Sequence, residues 1–147
     1  MTRDEVLDRL KAVDDPEIPG LSIVDMGMVT AILVTDGDVR VTLRPTYIGC
    51  PALDVIRTAV ERALKPARAW VAFDMTAPWS TEDVTAKGKD ALKAFGISPP
   101  RPPSLQVECP ECGSENTRMT SPFGSTLCRA VYYCEQCHVP FEAWKTV

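Results

Sequence analysis

Hydrophobic residues in the first two-thirds of the chain switch between helical and strand spacing. Val6, Leu10 and Val13 recur at steps of four and three, with Leu7 beside them, and predict a helix over 2–13. Thr2 suits its N-cap and Glu5 closes a capping box. Pro16 disfavours helical backbone at Asp15, so the helix should stop by Asp14. Residues 29–35 are β-rich. Val39, Val41 and Leu43 alternate with Arg40, Thr42 and Arg44, as in a half-buried strand. Asp36-Gly37 between them predicts a hairpin. Leu53, Ile56, Val60 and Leu64 predict a helix over 52–65, ended by Pro66. A third strand follows over 69–75. Ser80 then caps a helix over 81–95, which Gly88 weakens and Gly96 can end.

The link from 39–43 through a helix to 69–75 implies a crossover to a parallel neighbour. The expected fold class is α+β: a small mixed sheet packed with helices over 1–97, then a small β-rich domain over 105–147. Between them, residues 98–104 hold four prolines in seven positions and read as a stiff spacer.

The last domain holds five of the six cysteines. Cys109 and Cys112 form one C-x-x-C pair, and Cys134 and Cys137 another. Two such pairs at this spacing are a metal signature, and four thiolates around Zn²⁺ make a closed, structural site. Iron in the same four-sulfur site is the rival. So short a domain cannot bury a sufficient core alone, so the metal would supply much of its folding energy. Cys128 lies six residues before Cys134; along a straight strand that is ~20 Å, too far to share one ion. It reads as a small buried residue. Cys137-His138 completes a C-x-x-C-H haem-attachment pattern, but attachment of that kind fits an exported protein. The N-terminus has no apolar leader segment, so a cytoplasmic location is expected. His138 is the single histidine and is expected at the surface.

Net charge is −4 and the pI is about 5.0. Within 105–147, Arg118, Arg129 and Lys145 face five acids. Both balances argue against a nucleic-acid partner. No apolar run approaches the ~20 residues of a membrane span, so no membrane partner is expected.

The stretch that carries chemistry in the first domain is Pro45 to Pro51. Cys50 follows a strand and precedes a helix, with Pro51 suited to the first helical position. A thiol at a helix N-terminus can have its pKa lowered, and the thiolate is the form that binds metal. The alternative is a buried structural cysteine. Residues 14–20 read as an extended loop with three carboxylates, including Asp15 and Glu17. Asp25 lies between Val24 and Met26 and needs a partner if buried. Gly27 suggests a turn or a bulge.

These residues together resemble a known family. Asp15-Pro16-Glu17, Asp25-Met26-Gly27 and Thr46 to Cys50-Pro51 resemble the D-P-E, D-x-G and T-x-x-x-C-P motifs of the metal-sulfur cluster assembly domain, found in SufT-like and cytosolic iron–sulfur targeting proteins. Met26 stands where Leu is commoner. The added ribbon, with Ser121 to Thr126 before Cys128 and Pro140-Phe141 after Cys137, makes the whole chain similar to the PaaD family, associated with the ring-1,2-phenylacetyl-CoA epoxidase of phenylacetate degradation. The resemblance implies an accessory role in assembling or delivering iron–sulfur or iron centres, with no catalysis by this chain alone. It implies Cys50 as the sulfur touching iron or a transient cluster, with Asp15, Glu17, Asp25 and Thr46 as further candidates. It implies other epoxidase subunits as partners, especially the iron–sulfur reductase or the diiron oxygenase component. One thiolate cannot complete a cluster, so a homodimer mate or the client would add ligands. Two other readings stay open: an integral oxygenase subunit, and a zinc-ribbon adaptor without cluster transfer. Against the former, the chain has no E-x-x-H diiron pattern and no glycine-rich dinucleotide loop.

Overall fold

The computed structural model describes residues 1–46, 51–102 and 104–145. Its contacts divide into two compact units: Met1–Trp79 with Asp83–Thr85, and Ser80–Glu82 with Ala86–Val147.

The first unit opens with α1 (Arg3–Leu10), capped as the sequence predicts. The Thr2 hydroxyl accepts the Glu5 N–H at 3.2 Å, and the Glu5 carboxylate accepts the Thr2 N–H at 2.6 Å. Val6 and Leu10 are its buried face. The expected loop at 14–20 is instead a small antiparallel hairpin, β1 (Asp14–Asp15) on β2 (Ile18–Ser22). The carboxylates explain the difference. Asp15 Oδ1 accepts the Glu17 N–H at 2.8 Å, and Asp14 Oδ2 accepts the Gly20 N–H at 3.0 Å, so side chains close the turn that the prolines alone would leave open.

β3 (Val29–Thr35) and β4 (Asp38–Leu43) pair antiparallel through Asp36 and Gly37, at φ 51° and 85°. Positive φ at both positions is what a two-residue hairpin turn requires. α2 (Leu53–Ala63) leads to β5 (Arg68–Phe73), which runs parallel to β4 from Asp38↔Arg68 to Leu43↔Phe73. The sheet order is β3-β4-β5. Val39, Val41 and Leu43 are fully buried on one face, as are Val60 and Leu64 of the α2 region. α1 is tied to the end of α2 by Arg9, whose guanidinium donates to the carbonyls of Ala63 and Lys65. A cation there complements the negative end of the helix.

The expected helix over 81–95 is broken. Thr81–Asp83 form one 3₁₀ turn and α3 covers Ala86–Ala94. Between them the Thr85 N–H is bonded to the Asp25 carbonyl at 2.9 Å, which takes that amide out of a continuous helix.

In the second unit a four-stranded sheet has the order β6-β9-β8-β7. β6 is Ile97–Ser98, β7 Thr117–Ser121, β8 Arg129–Cys134 and β9 Pro140–Trp144. The last three form an antiparallel ribbon, and β6 adds parallel to β9 through Ile97↔Glu142 and Ser98↔Ala143. Ser98, read from sequence as the start of a spacer, is therefore a fully buried strand residue. The fold class is α+β. No helix among the described residues is long and apolar enough to cross a membrane.

Candidate metal centre

Two equivalent backbone turns build the cysteine cluster. In the first, the Gly113 N–H donates to the Cys109 carbonyl and the Cys109 N–H to the Ser114 carbonyl. In the second, the His138 N–H donates to the Cys134 carbonyl and the Cys134 N–H to the Val139 carbonyl. Each turn needs left-handed backbone just after its second cysteine. Gly113 supplies it at φ 75° and His138 at φ 62°. Only glycine takes that conformation without steric cost, so the role of His138 was not legible from sequence, where it read as a surface residue. It is exposed, and the Tyr133 hydroxyl lies 3.1 Å from its Nδ1.

The turns bring the sulfurs of Cys109, Cys112, Cys134 and Cys137 within 4.8 Å of one another. Cys109 and Cys137 are 3.7 Å apart, Cys112 and Cys134 3.6 Å. Four sulfurs each about 2.3 Å from one tetrahedral zinc would be about 3.8 Å apart, so the donor set fits that ion in number, element and spacing. Cys109 and Cys134 are fully buried, packed with Phe141 and Ala143 and flanked by Val107, Tyr132 and Val139. That apolar wall keeps water from two of the four sulfurs. As thiols alone the cluster is uneven. The Cys137 N–H, 3.4 Å from the Cys134 sulfur, draws Cys134 down to about 7. Burial and then the neighbouring sulfurs push Cys137 up to about 12. Adjacent thiolates repel, so all four ionise together only on a cation. Cys128 stays outside the cluster; it is buried, with its sulfur 3.0 Å from the Thr126 hydroxyl.

In the first unit, Cys50 and the three residues before it lie outside the described residues. α2 takes Ala52 as its N-cap and starts at Leu53, two positions later than Pro51 implied, and no side chain among the described residues caps it. Thr46 is half-buried at the approach. The carboxylates have local tasks. Asp25 Oδ2 accepts from the Ser22 hydroxyl at 2.9 Å, and Asp25 Oδ1 from the Thr85 hydroxyl at 2.8 Å. This is the partner its sequence setting required. Asp15 turns back on the Glu17 N–H.

The turn around Asp25-Met26-Gly27 is clasped by residues that sequence reasoning missed. The Arg44 Nε donates to the Gly27 carbonyl at 2.9 Å, its fork reaches the Pro78 carbonyl at 2.9 Å, and it pairs with Asp83 at 3.0 Å. The buried Trp79 Nε1 donates to the Met26 carbonyl at 2.7 Å. Gly27 has φ 77°, and a Cβ there would sit 2.7 Å from the Asp83 Cβ. The glycine of the motif thus makes room for Asp83.

Residues 3–77 match the family described as Iron-sulfur cluster assembly protein, and residues 99–145 match the PaaD zinc beta ribbon domain. The chain is 34% identical to an Escherichia coli K12 protein whose name makes it one of the subunits of a 1,2-phenylacetyl-CoA epoxidase, over 97% of this chain and 92% of that one. The chain belongs to the iron–sulfur cluster assembly protein family. A further relative is the Bacillus subtilis 168 Fe-S protein maturation auxiliary factor YitW, 28% identical over 61% of this chain and 92% of its own. Among solved structures, a domain of unknown function (DUF59) from Bacillus anthracis superposes with a TM-score of 0.56 at 29% identity, covering 60% of this chain and 89% of that one. As an iron–sulfur assembly family member with an added ribbon, the chain carries a metal-binding cysteine cluster whose zinc is structural.

Proposed function

We propose that this chain is an accessory component of a phenylacetyl-CoA epoxidase system in the cytoplasm, and that it hands iron or an iron–sulfur cluster to the metal-bearing components. The observation that carries this reading is the match along nearly the whole chain to a protein named for that epoxidase, in which an iron–sulfur assembly domain and a PaaD ribbon occur together. The cargo contact falls to Cys50. Asp25 and Asp15 are occupied in holding turns, so Glu17 and Thr46 are the side chains left to assist it. Since one thiolate cannot hold a cluster, a second copy or the client supplies the remaining ligands, and the cargo is labile. In the ribbon, Cys109, Cys112, Cys134 and Cys137 hold zinc with no open position, which suits a docking module for the reductase or oxygenase component.

The test is the metal and sulfide content of anaerobically purified wild type and Cys50→Ala. Expected is one zinc per chain in both, with iron and sulfide in wild type alone. Zinc in both with no iron after reconstitution would replace this reading by an adaptor without cluster transfer.

A further inference from the structure

β5 is an edge strand of the first unit's sheet. Edge strands are commonly blunted by proline, lysine, a bulge or an inward charge, because their free backbone groups can pair with another chain. The other edge, β3, has a register shift between Val29 and Ala31. β5 runs Arg68-Ala69-Trp70-Val71-Ala72-Phe73, with no proline, lysine or inward charge, and its register with β4 is unbroken. The Asp74 N–H donates to the Leu43 carbonyl at 2.8 Å, which sets the alternation along the strand. Trp70 and Ala72 therefore direct their backbone groups at β4, and Ala69, Val71 and Phe73 direct theirs away from the sheet. Among the described residues no hydrogen bond takes up those outward groups. The side chains of Ala69, Val71 and Phe73 lie on the core face, beside Val39, Val41 and Leu43. The β4 residues are fully buried, whereas their β5 neighbours are half-buried. Ladder and core both stop short at β5.

We propose that β5 pairs antiparallel with β5 of a second copy of this chain, about a two-fold axis at Val71, and so joins the two sheets into one. With Val71 opposite Val71, every outward backbone group of β5 meets an outward group of the other β5, and no other register achieves this. The side chains fit the register that the backbone sets. Arg68 comes opposite Asp74 of the second copy, Trp70 opposite Ala72, and Phe73 opposite Ala69. Each charge meets its opposite and each large ring meets a methyl group, twice over by symmetry. Both charges are available for this. The Arg68 guanidinium lies 5.3 Å from the Trp70 ring and makes no ion pair among the described residues. Asp74 accepts from the Thr76 N–H at 2.9 Å and its hydroxyl at 2.6 Å, and has no cation among the described residues. Pairing would also cover Trp70, which is 45% exposed on the outer face. The interface does not depend on the cluster reading of Cys50.

The test uses the full-length, zinc-loaded protein in sedimentation velocity over a dilution series, with residue-level amide exchange by NMR. Expected is a reversible dimer in wild type and in Cys50→Ala. The amides of Ala69, Val71 and Phe73 should gain protection as concentration rises, while those of Trp70 and Ala72, already bonded to β4, stay constant. Val71→Pro removes an outward donor at a position where an edge strand accepts proline, so it should give a folded monomer. Arg68→Glu should weaken the dimer about tenfold, by setting like charges opposite each other twice, and adding Asp74→Arg should restore it. A monomer at every concentration, a dimer of unchanged strength in Val71→Pro, or a charge swap that fails to restore pairing would overturn the proposal. So would protection at Val71 that does not change with concentration. Loss of the dimer in Cys50→Ala would overturn it too, because self-association would then belong to a shared cluster.

Discussion

Arg44 gives the sharpest test of how the first unit is held. Its guanidinium satisfies two backbone carbonyls and pairs with Asp83, while its own side chain is 20% exposed. Truncation to alanine strands the Gly27 carbonyl, which is part-buried, and leaves Asp83 without its cation. Hydrogen bonds from charged groups are worth about 1.5–3 kcal/mol each, and the two outer contacts must be discounted for solvent. A total of about 3 kcal/mol follows, or roughly a hundredfold in the local opening constant. Hydrogen exchange followed by mass spectrometry should show that loss of protection in peptides spanning 22–28. Arg44→Lys keeps the charge but not the planar fork, so it should recover about half of the effect. If Arg44→Ala left protection within about threefold of wild type, or if Lys substituted without loss, the clasp would not be what holds the turn.

Three further outcomes can be measured. Gly27→Ala should cost at least about 2 kcal/mol, because strain at positive φ adds to the overlap with Asp83, while Gly37→Ala, at positive φ in open space, should cost about half as much; urea midpoints compare them. Removing zinc, by a chelator or by Cys134→Ser, should withdraw binding energy on the order of 10 kcal/mol from the second unit and unprotect its strands, while β3, β4 and β5 keep their slow exchange. Glu142 is driven up by burial, but the Ser125 N–H and hydroxyl and then Arg129 outweigh this and hold it below the ordinary 4.5. Its folded pKa is depressed, so the stability it contributes is complete above 4.5 and is lost as pH falls through the folded value. The carboxyl carbon shift of Glu142 should titrate below 4.5 and move upward in Ser125→Ala; a midpoint at 4.5 in wild type would contradict this.

Local chemistry made much of the molecule readable in advance. The period-two run at Val39–Leu43, the Asp36-Gly37 turn and the helical spacing through Ile56, Val60 and Leu64 depend on neighbours a few residues away. So do the two cysteine turns, each closed by its own backbone. The C-x-x-C pairs could be assigned to one centre because metal chemistry restricts their partners. What sequence could not supply were contacts made across long separations. Asp25 finds Thr85 sixty residues on, and Arg9 finds Lys65 fifty-six residues on. No local pattern selects those partners among many equivalent hydroxyls and carbonyls. Asp15 and Asp25 stood as ligand candidates because their type was visible and their hydrogen bonds were not. Ile97 and Ser98 looked like the approach to a spacer because two residues carry no periodicity; only a free edge on β9 makes them a strand. Composition and spacing determined most of the long elements and the metal donors, since those rest on intrinsic geometry. The tertiary structure decided which carboxylates are already occupied, because occupancy depends on where the rest of the chain comes to lie.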